Sequence, residues 1–544
     1  MASHTAQELC IEAFVTEASV PVTKALERGG LEGDAVPRVR GMFKSAALRL
    51  TRHAKSVTPQ SPAFAFWVPG RIEVAGKHTD YAGGRSLLSA VNRGFAVVAV
   101  PRDDSKLAVY TQFADGREDQ QEMLMTADMD QLRSFQSLPL DQGGWATYPA
   151  AAVQRLVSNF GIKRGAHISM ECDLPESSGL SSSSAVICYM WMVLDSLNAI
   201  AAENATFQRC IKSSADLYTY LGNIENGKHF KPGSPDQLDG AGGVGTFGGS
   251  EDHTAIMSCS RCTLGLWQYC PTEHLGTISV DPNVVFVVAV SGAKAEKTGA
   301  AKGSYNDAAL LAQWGAGAFA AAMSCRQGDG IVTEGMLAEL FSTSGLYNPK
   351  CPNLAEVVRQ LRAEYPDVED LREQSVLLLD SIASSFKSHL RGSAATLGWN
   401  LDGLDSVTVD VLKTRFLQFF NESEDIVPAM ALAFMVRDYP TLGKLSDMSH
   451  EATVKELQNT VPETAWLPRW ARSAQKACGG PALAASAFGA GFGGSCWALV
   501  ETARAEAFRD AWQSAYDAEF PHAPDGIPRE FFITPAAPGA FALA

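Results

Sequence analysis

Apolar and polar positions change rhythm several times along this chain. Over the first sixty residues Ala, Leu and Glu recur at helical spacing, and residues 38–52 form a basic amphipathic stretch, so the pattern predicts helices. Pro59, Pro62 and Pro69 interrupt that rhythm, and Phe64, Ala65, Phe66, Trp67 and Val68 between them predict a strand. A second extended stretch runs over residues 86–100 and stops at Pro101. Residues 145–160 predict a helix, 165–173 a strand and 181–201 a strongly apolar helix. Strands alternating with helices predict a layered α/β or α+β arrangement. Residues 227–250, rich in Gly and Ser, predict a long loop, which in compact domains goes with function or mobility. Residues 281–290 predict a strand that is apolar on both faces, 306–420 a mainly helical region, and 495–500 a strand behind a Gly- and Ala-rich run. The tail after Ala518, rich in Pro and Ala, is expected to carry little chemistry.

A chain of 544 residues is long enough for two or three domains. A net charge of -15 argues against nucleic acid or an anionic membrane as main partner, so any anionic ligand must be held by local positive groups. No apolar run approaches the ~20 residues of a membrane span; Val284–Val290 is the densest. With His4, Glu8, Glu12 and Glu17 near its start, the chain shows no basic stretch followed by an apolar core, so no secretory signal is expected. Eleven cysteines, an odd number without a repeating frame, suit reduced thiols and a cytoplasmic location. Cys259 and Cys262 form a CxxC with Cys270 nearby, but a fourth zinc ligand at suitable spacing is not evident.

Three segments concentrate chemistry. Residues 70–84 place Arg71, Lys77, His78 and Asp80 within ten positions after a short strand and end in Gly83-Gly84, which suits binding of a small polar molecule. Residues 173–185 lead through Gly179, Leu180, Ser181, Ser182, Ser183 and Ser184 into the apolar helix. A helix start offers unpaired N–H groups, and small side chains let a phosphate reach them. One serine suffices to cap a helix, so four in a row favour phosphate binding. The GxxxxGK[ST] phosphate loop is absent from the sequence, so the cradle is of another kind. Residues 486–495 form a third, Gly-rich run with Gly491 and Gly493.

In this order and separation the three segments resemble the signature motifs of the GHMP small-molecule kinases, and the first resembles the galactokinase signature within that superfamily. The second is similar to the Pro-x-x-x-Gly-Leu-Ser-Ser-Ser-Ala nucleotide loop and the third to Gly-Gly-Gly-Phe-Gly-Gly. Gly249-Ser250-Glu251-Asp252-His253 resembles the galactokinase Gly-Ile-Met-Asp-Gln, and Ser304-Tyr305-Asn306 resembles Ser-Glu-Tyr-Asn. The resemblance runs from about residue 69 to 500. It implies a two-lobed fold with the active site between the lobes: a helical extension over 1–60, an N-terminal domain over 61–290 binding sugar and ATP, and a C-terminal domain over 291–544 with extra helical material at about 310–430. The expected state is a monomer or weak oligomer.

The resemblance also implies roles. Phosphoryl transfer depends on positioning and on neutralising charge. Asp252 would be the base or orienting carboxylate at the acceptor hydroxyl, with Arg71 neutralising developing charge. Lys77, His78, Asp80, Gly249 and Tyr305 would contact the sugar. Gly179, Leu180, Ser181, Ser182, Ser183, Gly491 and Gly493 would hold ATP, and Ser182 with Glu225 would hold Mg²⁺. Several positions depart from the family pattern. Glu73 stands where galactokinases have Asn, and Lys77 where they have the Glu that faces the sugar C6 hydroxyl; His253 replaces Gln, and Ala490 replaces Gly. Two readings of Lys77 stay open. It recognises a C6 carboxylate, making the acceptor a uronic acid such as galacturonate, or it pairs with Glu73 and a neutral hexose binds. The expected activity is ATP-dependent phosphorylation of the anomeric hydroxyl of galactose or a close relative; a non-catalytic sugar sensor on the same fold is the rival.

Overall fold

The computed structural model describes residues 9–112, 116, 118–128, 145–231, 233–240, 242–295, 302–327, 353–397, 399–475, 480–522 and 527–543. Its strands are β1 (Leu9–Cys10), β2 (Pro62–Ala75), β3 (Arg85–Pro101), β4 (Lys106–Gln112), β5 (Glu118–Leu124), β6 (Ala166–Cys172), β7 (Thr263–Gln268), β8 (Glu273–Ser279), β9 (Val284–Val290), β10 (Ala484–Ala487), β11 (Ser495–Glu501), β12 (Glu530–Thr534) and β13 (Phe541–Ala542). A large sheet runs β1-β2-β3-β6-β4-β5, with β13 on β2, β7 on β3 and β8 on β7; a small sheet runs β10-β11-β9-β12. β4 and β6 pair parallel and the other pairs antiparallel.

Strand β2 shows why the middle of the large sheet is apolar on both faces. Phe64, Phe66 and Val68 face the main core, which includes the helices Thr147–Phe160 and Ser182–Asn198. Ala63, Ala65 and Trp67 point the other way, against Ile11, Phe14, Val39, Phe43 and Leu50 of the N-terminal helices. Successive side chains alternate across a strand, so a sheet covered on both faces reads as a continuous apolar run. The buried Arg49 ties the extension down, donating to Ser169 Oγ, the Met170 carbonyl and Glu171.

β2 also runs further than the prolines suggest. It passes through Pro69 at a register shift between Pro69 and Arg71, an irregularity where a residue without an N–H is tolerated. Arg71 and Glu73 therefore lie inside a strand. The tail carries more than expected too: β12 pairs with β9 and β13 with β2, so the last residues stitch the small sheet to the large one. Strand β9 belongs to the small sheet. Between β9 and β10 in sequence, the helices Lys302–Gln327, Leu354–Glu364, Val368–Ser381, Phe386–Leu397 and Val409–Phe420 build a core of their own around Phe319, Leu390 and Phe416.

Candidate active site

The three motifs meet at Arg71. Its guanidinium, 1% exposed, donates from Nε (2.7 Å) and Nη2 (2.5 Å) to Asp252 Oδ1 and from Nη1 (2.6 Å) to the Gly179 carbonyl. Asp252 stands in the first turn of the helix Glu251–Ser258, whose N-terminal dipole favours a carboxylate. Its Oδ2 lies 3.4 Å from Ser184 Oγ, and that hydroxyl donates at 2.7 Å to Glu225 Oε2. Ser183 Oγ donates to Glu225 Oε1 at 3.3 Å, and His253 Nε2 lies 3.0 Å from Glu225 Oε2. The serines thus point to a buried carboxylate. Ser181, at the N-cap position, makes no capping bond; its backbone is left-handed and its buried Oγ has no partner.

Phosphate loop and Gly-rich run back each other directly. Ser495 Oγ donates to the Ser178 carbonyl at 2.6 Å, and a Cβ on Gly489 would come 3.0 Å from the Gly179 carbonyl. Gly491 has φ +80, and a Cβ there would overlap the Asn459 carbonyl, so only glycine fits. A Cβ on Gly493 would lie 2.7 Å from the Lys294 carbonyl. The Leu180 carbonyl accepts from Arg71 N at 3.3 Å. Ala490 is not among the positive-φ positions, so its side chain is accommodated.

Opposite Asp252 lies a cleft of about 490 Å³, counted with its open mouth, to which Asp80, His78, Gly249, Tyr305, Glu73 and Glu251 contribute. Asp80 accepts from Tyr81 N at 2.8 Å and from Glu251 N at 3.2 Å. A Cβ on Gly249 would overlap Asp80 Oδ2, so this glycine leaves room for the carboxylate. His78 sits between the Tyr81 hydroxyl (2.8 Å) and the Ala490 carbonyl (3.1 Å), its ring 5.7 Å from that of Tyr305. Burial raises the Asp80 and Glu251 carboxyls above the ordinary carboxylate range, and neighbouring carboxylates push the same way. Burial pulls Arg71 down, but Asp252, then Glu251 and Glu73, leave it raised.

Lys77 does not line this cleft. Its Nζ donates to Ser449 Oγ at 2.9 Å, and it borders a smaller cavity with Asn459, Thr464, Gly491 and Gly493. A buried ammonium takes the hydroxyl and carboxylates already around it, here Ser449 and the nearby Glu73. Glu225, Asp252, Arg71, His78, Asp80, Gly249 and Tyr305 do come together; Ser182 and Ser183 stand at the start of the helix beside them.

Sequence reading missed a set of supports. Arg415 donates to the His78 carbonyl (2.6 Å) and the Tyr81 hydroxyl (3.3 Å), and Gln418 to the Lys77 carbonyl (3.1 Å). Glu422 Oε1 accepts from Gly76 N (2.8 Å), Lys77 N (3.3 Å) and Ser449 Oγ (3.0 Å). Their signal was present: polar residues punctuate the apolar run of Leu412, Phe416, Phe419 and Phe420, and a polar stripe on a buried helix face needs partners. Asn459, whose Nδ2 lies 3.0 Å from His78 Nε2, carried no signal in its own segment.

Three family models match the chain: the galactokinase galactose-binding signature over residues 51–101, the GHMP kinase N-terminal domain over 147–236 and the GHMP kinase C-terminal domain over 430–518. A galactokinase of Roseiflexus sp. is 24% identical over 453 residues, 82% of this chain and 86% of that protein. A galactokinase of Lactobacillus helveticus is 34% identical over 130 residues, so the chain spans 31% of that relative's length and 24% of its own. Among solved structures, Lactococcus lactis galactokinase complexed with galactose matches with a TM-score of 0.57 at 19% identity, covering 88% of this chain and 94% of that one. The chain is similar to members of the GHMP kinase superfamily over both of that superfamily's domain models. Within it, the signature around Arg71 and Asp80 and the full-length relative make it galactokinase-like.

Proposed function

We propose that this protein is an ATP-dependent sugar kinase that phosphorylates the anomeric hydroxyl of galactose or a closely related neutral sugar. The observation that carries this reading is the Arg71–Asp252 pair, set where all three motifs meet and facing the cleft of Asp80, Gly249 and Tyr305. Asp252 takes the proton of the acceptor hydroxyl as the hydroxyl oxygen attacks the terminal phosphorus of ATP, the bond from that phosphorus to ADP breaks and ADP leaves, and Arg71 stabilises the negative charge that develops on the moving group. Asp80 holds sugar hydroxyls, and His78 and Tyr305 wall the pocket. Residues Gly179 to Ser183, with Gly491 and Gly493, hold the nucleotide; the buried, unpartnered Ser181 Oγ beside the open helix start fits a phosphate oxygen. Ser182 and Glu225 supply hard oxygen donors suited to Mg²⁺, which when bound neutralises phosphate charge. The nine described cysteines, none in a disulfide, support a cytosolic setting.

Withdrawal of Lys77 from the cleft favours a neutral acceptor over a uronic acid, and the intact pairing of Asp252 favours an enzyme over a sensor. A coupled assay of ADP release tests the reading. Wild type should turn over galactose, and Asp252→Asn should lower kcat by about 10²–10⁴-fold while leaving ATP binding in place. A variant with near-normal rate removes Asp252 from the chemistry.

A further inference from the structure

Of the five carboxylates that line the cleft, Glu73, Asp80, Glu225, Glu251 and Asp252, three are engaged by protein donors, and of the other two only Glu73 holds a fully buried oxygen without a partner. Asp80 accepts two backbone N–H groups, Asp252 accepts from Arg71, and Glu225 accepts from Ser183 and Ser184. Glu73 differs. It sits two residues after Arg71 on β2, so both side chains leave the strand on the same face and enter the cleft. Its Oε2 is anchored by Gly489 N at 2.9 Å. Its Oε1 is buried, in a residue 3% exposed, and has no hydrogen-bond partner. A buried carboxylate oxygen without a donor is costly, and such an orphan at a binding cleft is relieved when the ligand brings a donor.

We propose that Glu73 is a specificity-determining residue of the acceptor pocket: its Oε1 accepts a hydrogen bond from a sugar hydroxyl other than the reacting one. This rests on the kinase reading above and names the acceptor class. A neutral polyol supplies the missing donor. A uronic acid would bring a second acceptor to the same place, and the cations nearby already have partners: Arg71 in Asp252, Lys77 in Ser449 and Lys228 in the Gly248 carbonyl. The charged groups around Glu73 agree. Burial pushes its carboxyl up to about 7, Lys77 and Arg71 pull it down with the Gly489 N–H, and Glu422 pushes it up. An added anion would deepen that repulsion.

The test is a matrix of acceptors and variants. Wild type, Glu73→Gln and Glu73→Ala are compared on galactose, on its single-position deoxy analogues and on galacturonate, by kcat/KM and by calorimetric sugar binding without nucleotide. Glu73→Ala should lose roughly tenfold or more on galactose, the scale of one charge-assisted hydrogen bond, chiefly in KM. One deoxy analogue should already be weak with wild type and lose nothing further in the variant. Glu73→Gln keeps the shape and an acceptor for Gly489, and should fall between the two. The proposal is overturned if every analogue falls by the same factor, or if wild type uses galacturonate as well as galactose. If wild type turns over no sugar but binds them, the kinase reading fails and the binding matrix alone decides Glu73; if it binds none, both fail.

Discussion

Glu73 should carry a stability penalty that is separable from its proposed role, and Glu73→Gln exposes it. Its carboxyl lies at about 7 in the fold against an ordinary 4.5, because burial disfavours the charged form more than Lys77, Arg71 and the Gly489 N–H favour it. A folded-state pKa above the unfolded one means that the native state binds the proton more tightly. The stabilisation is then complete below pH 4.5 and is lost as pH rises through 7. A difference of about 2.5 pKa units corresponds to roughly 3 kcal/mol lost across that window. Glutamine has nothing to ionise, so the variant escapes the loss; Glu251, pushed up partly by Glu73, also relaxes, while Lys77 loses a counter-charge. The assay is urea unfolding of ligand-free wild type and variant at half-unit steps from pH 5 to pH 8. The variant should gain on wild type progressively, by a few kcal/mol at pH 8, while binding galactose more weakly. A stability difference that is flat with pH, or that favours wild type increasingly as pH rises, refutes the argument that burial raises the Glu73 carboxyl.

Other substitutions test the supports. Gly249→Ala puts a methyl group against Asp80 Oδ2 and should raise the sugar KM by about tenfold or more with ATP affinity unchanged, since small displacements of a positioning group are costly; an unchanged KM would separate Asp80 from the sugar. Arg415→Ala removes bonds to His78 and Tyr81 from a buried site and should cost about 2–3 kcal/mol in urea unfolding, with weaker sugar binding; a purely local stability loss with normal sugar affinity would show that the helix does not hold the motif. Gly491→Ala combines a left-handed φ with overlap on Asn459, and should lower soluble yield or melting temperature far more than Gly276→Ala, where a Cβ meets open space.

What could be read in advance follows from how local each feature is. The motifs were legible because phosphate and sugar binding need small residues, glycines and clustered charges within a few positions, and the fold brings Arg71, Asp80, Gly179, Asp252 and Gly491 to one place. The strands β4, β5, β7 and β8 were missed because mixed polar and apolar stretches gain their pairing from distant partners rather than from their own pattern. Lys77 shows the limit most clearly. In sequence it shares a turn with His78 and Asp80, which invites the same role for all three. Its direction is decided instead by Glu422 and Ser449, more than three hundred residues on, which meet the motif's backbone and its ammonium from behind. Once Lys77 is drawn there, Glu73 is left facing the cleft with one oxygen unsatisfied. The departures at Lys77 and Glu73 are therefore linked through one neighbourhood, and under the proposal above the acceptor supplies the donor that Glu73 Oε1 lacks.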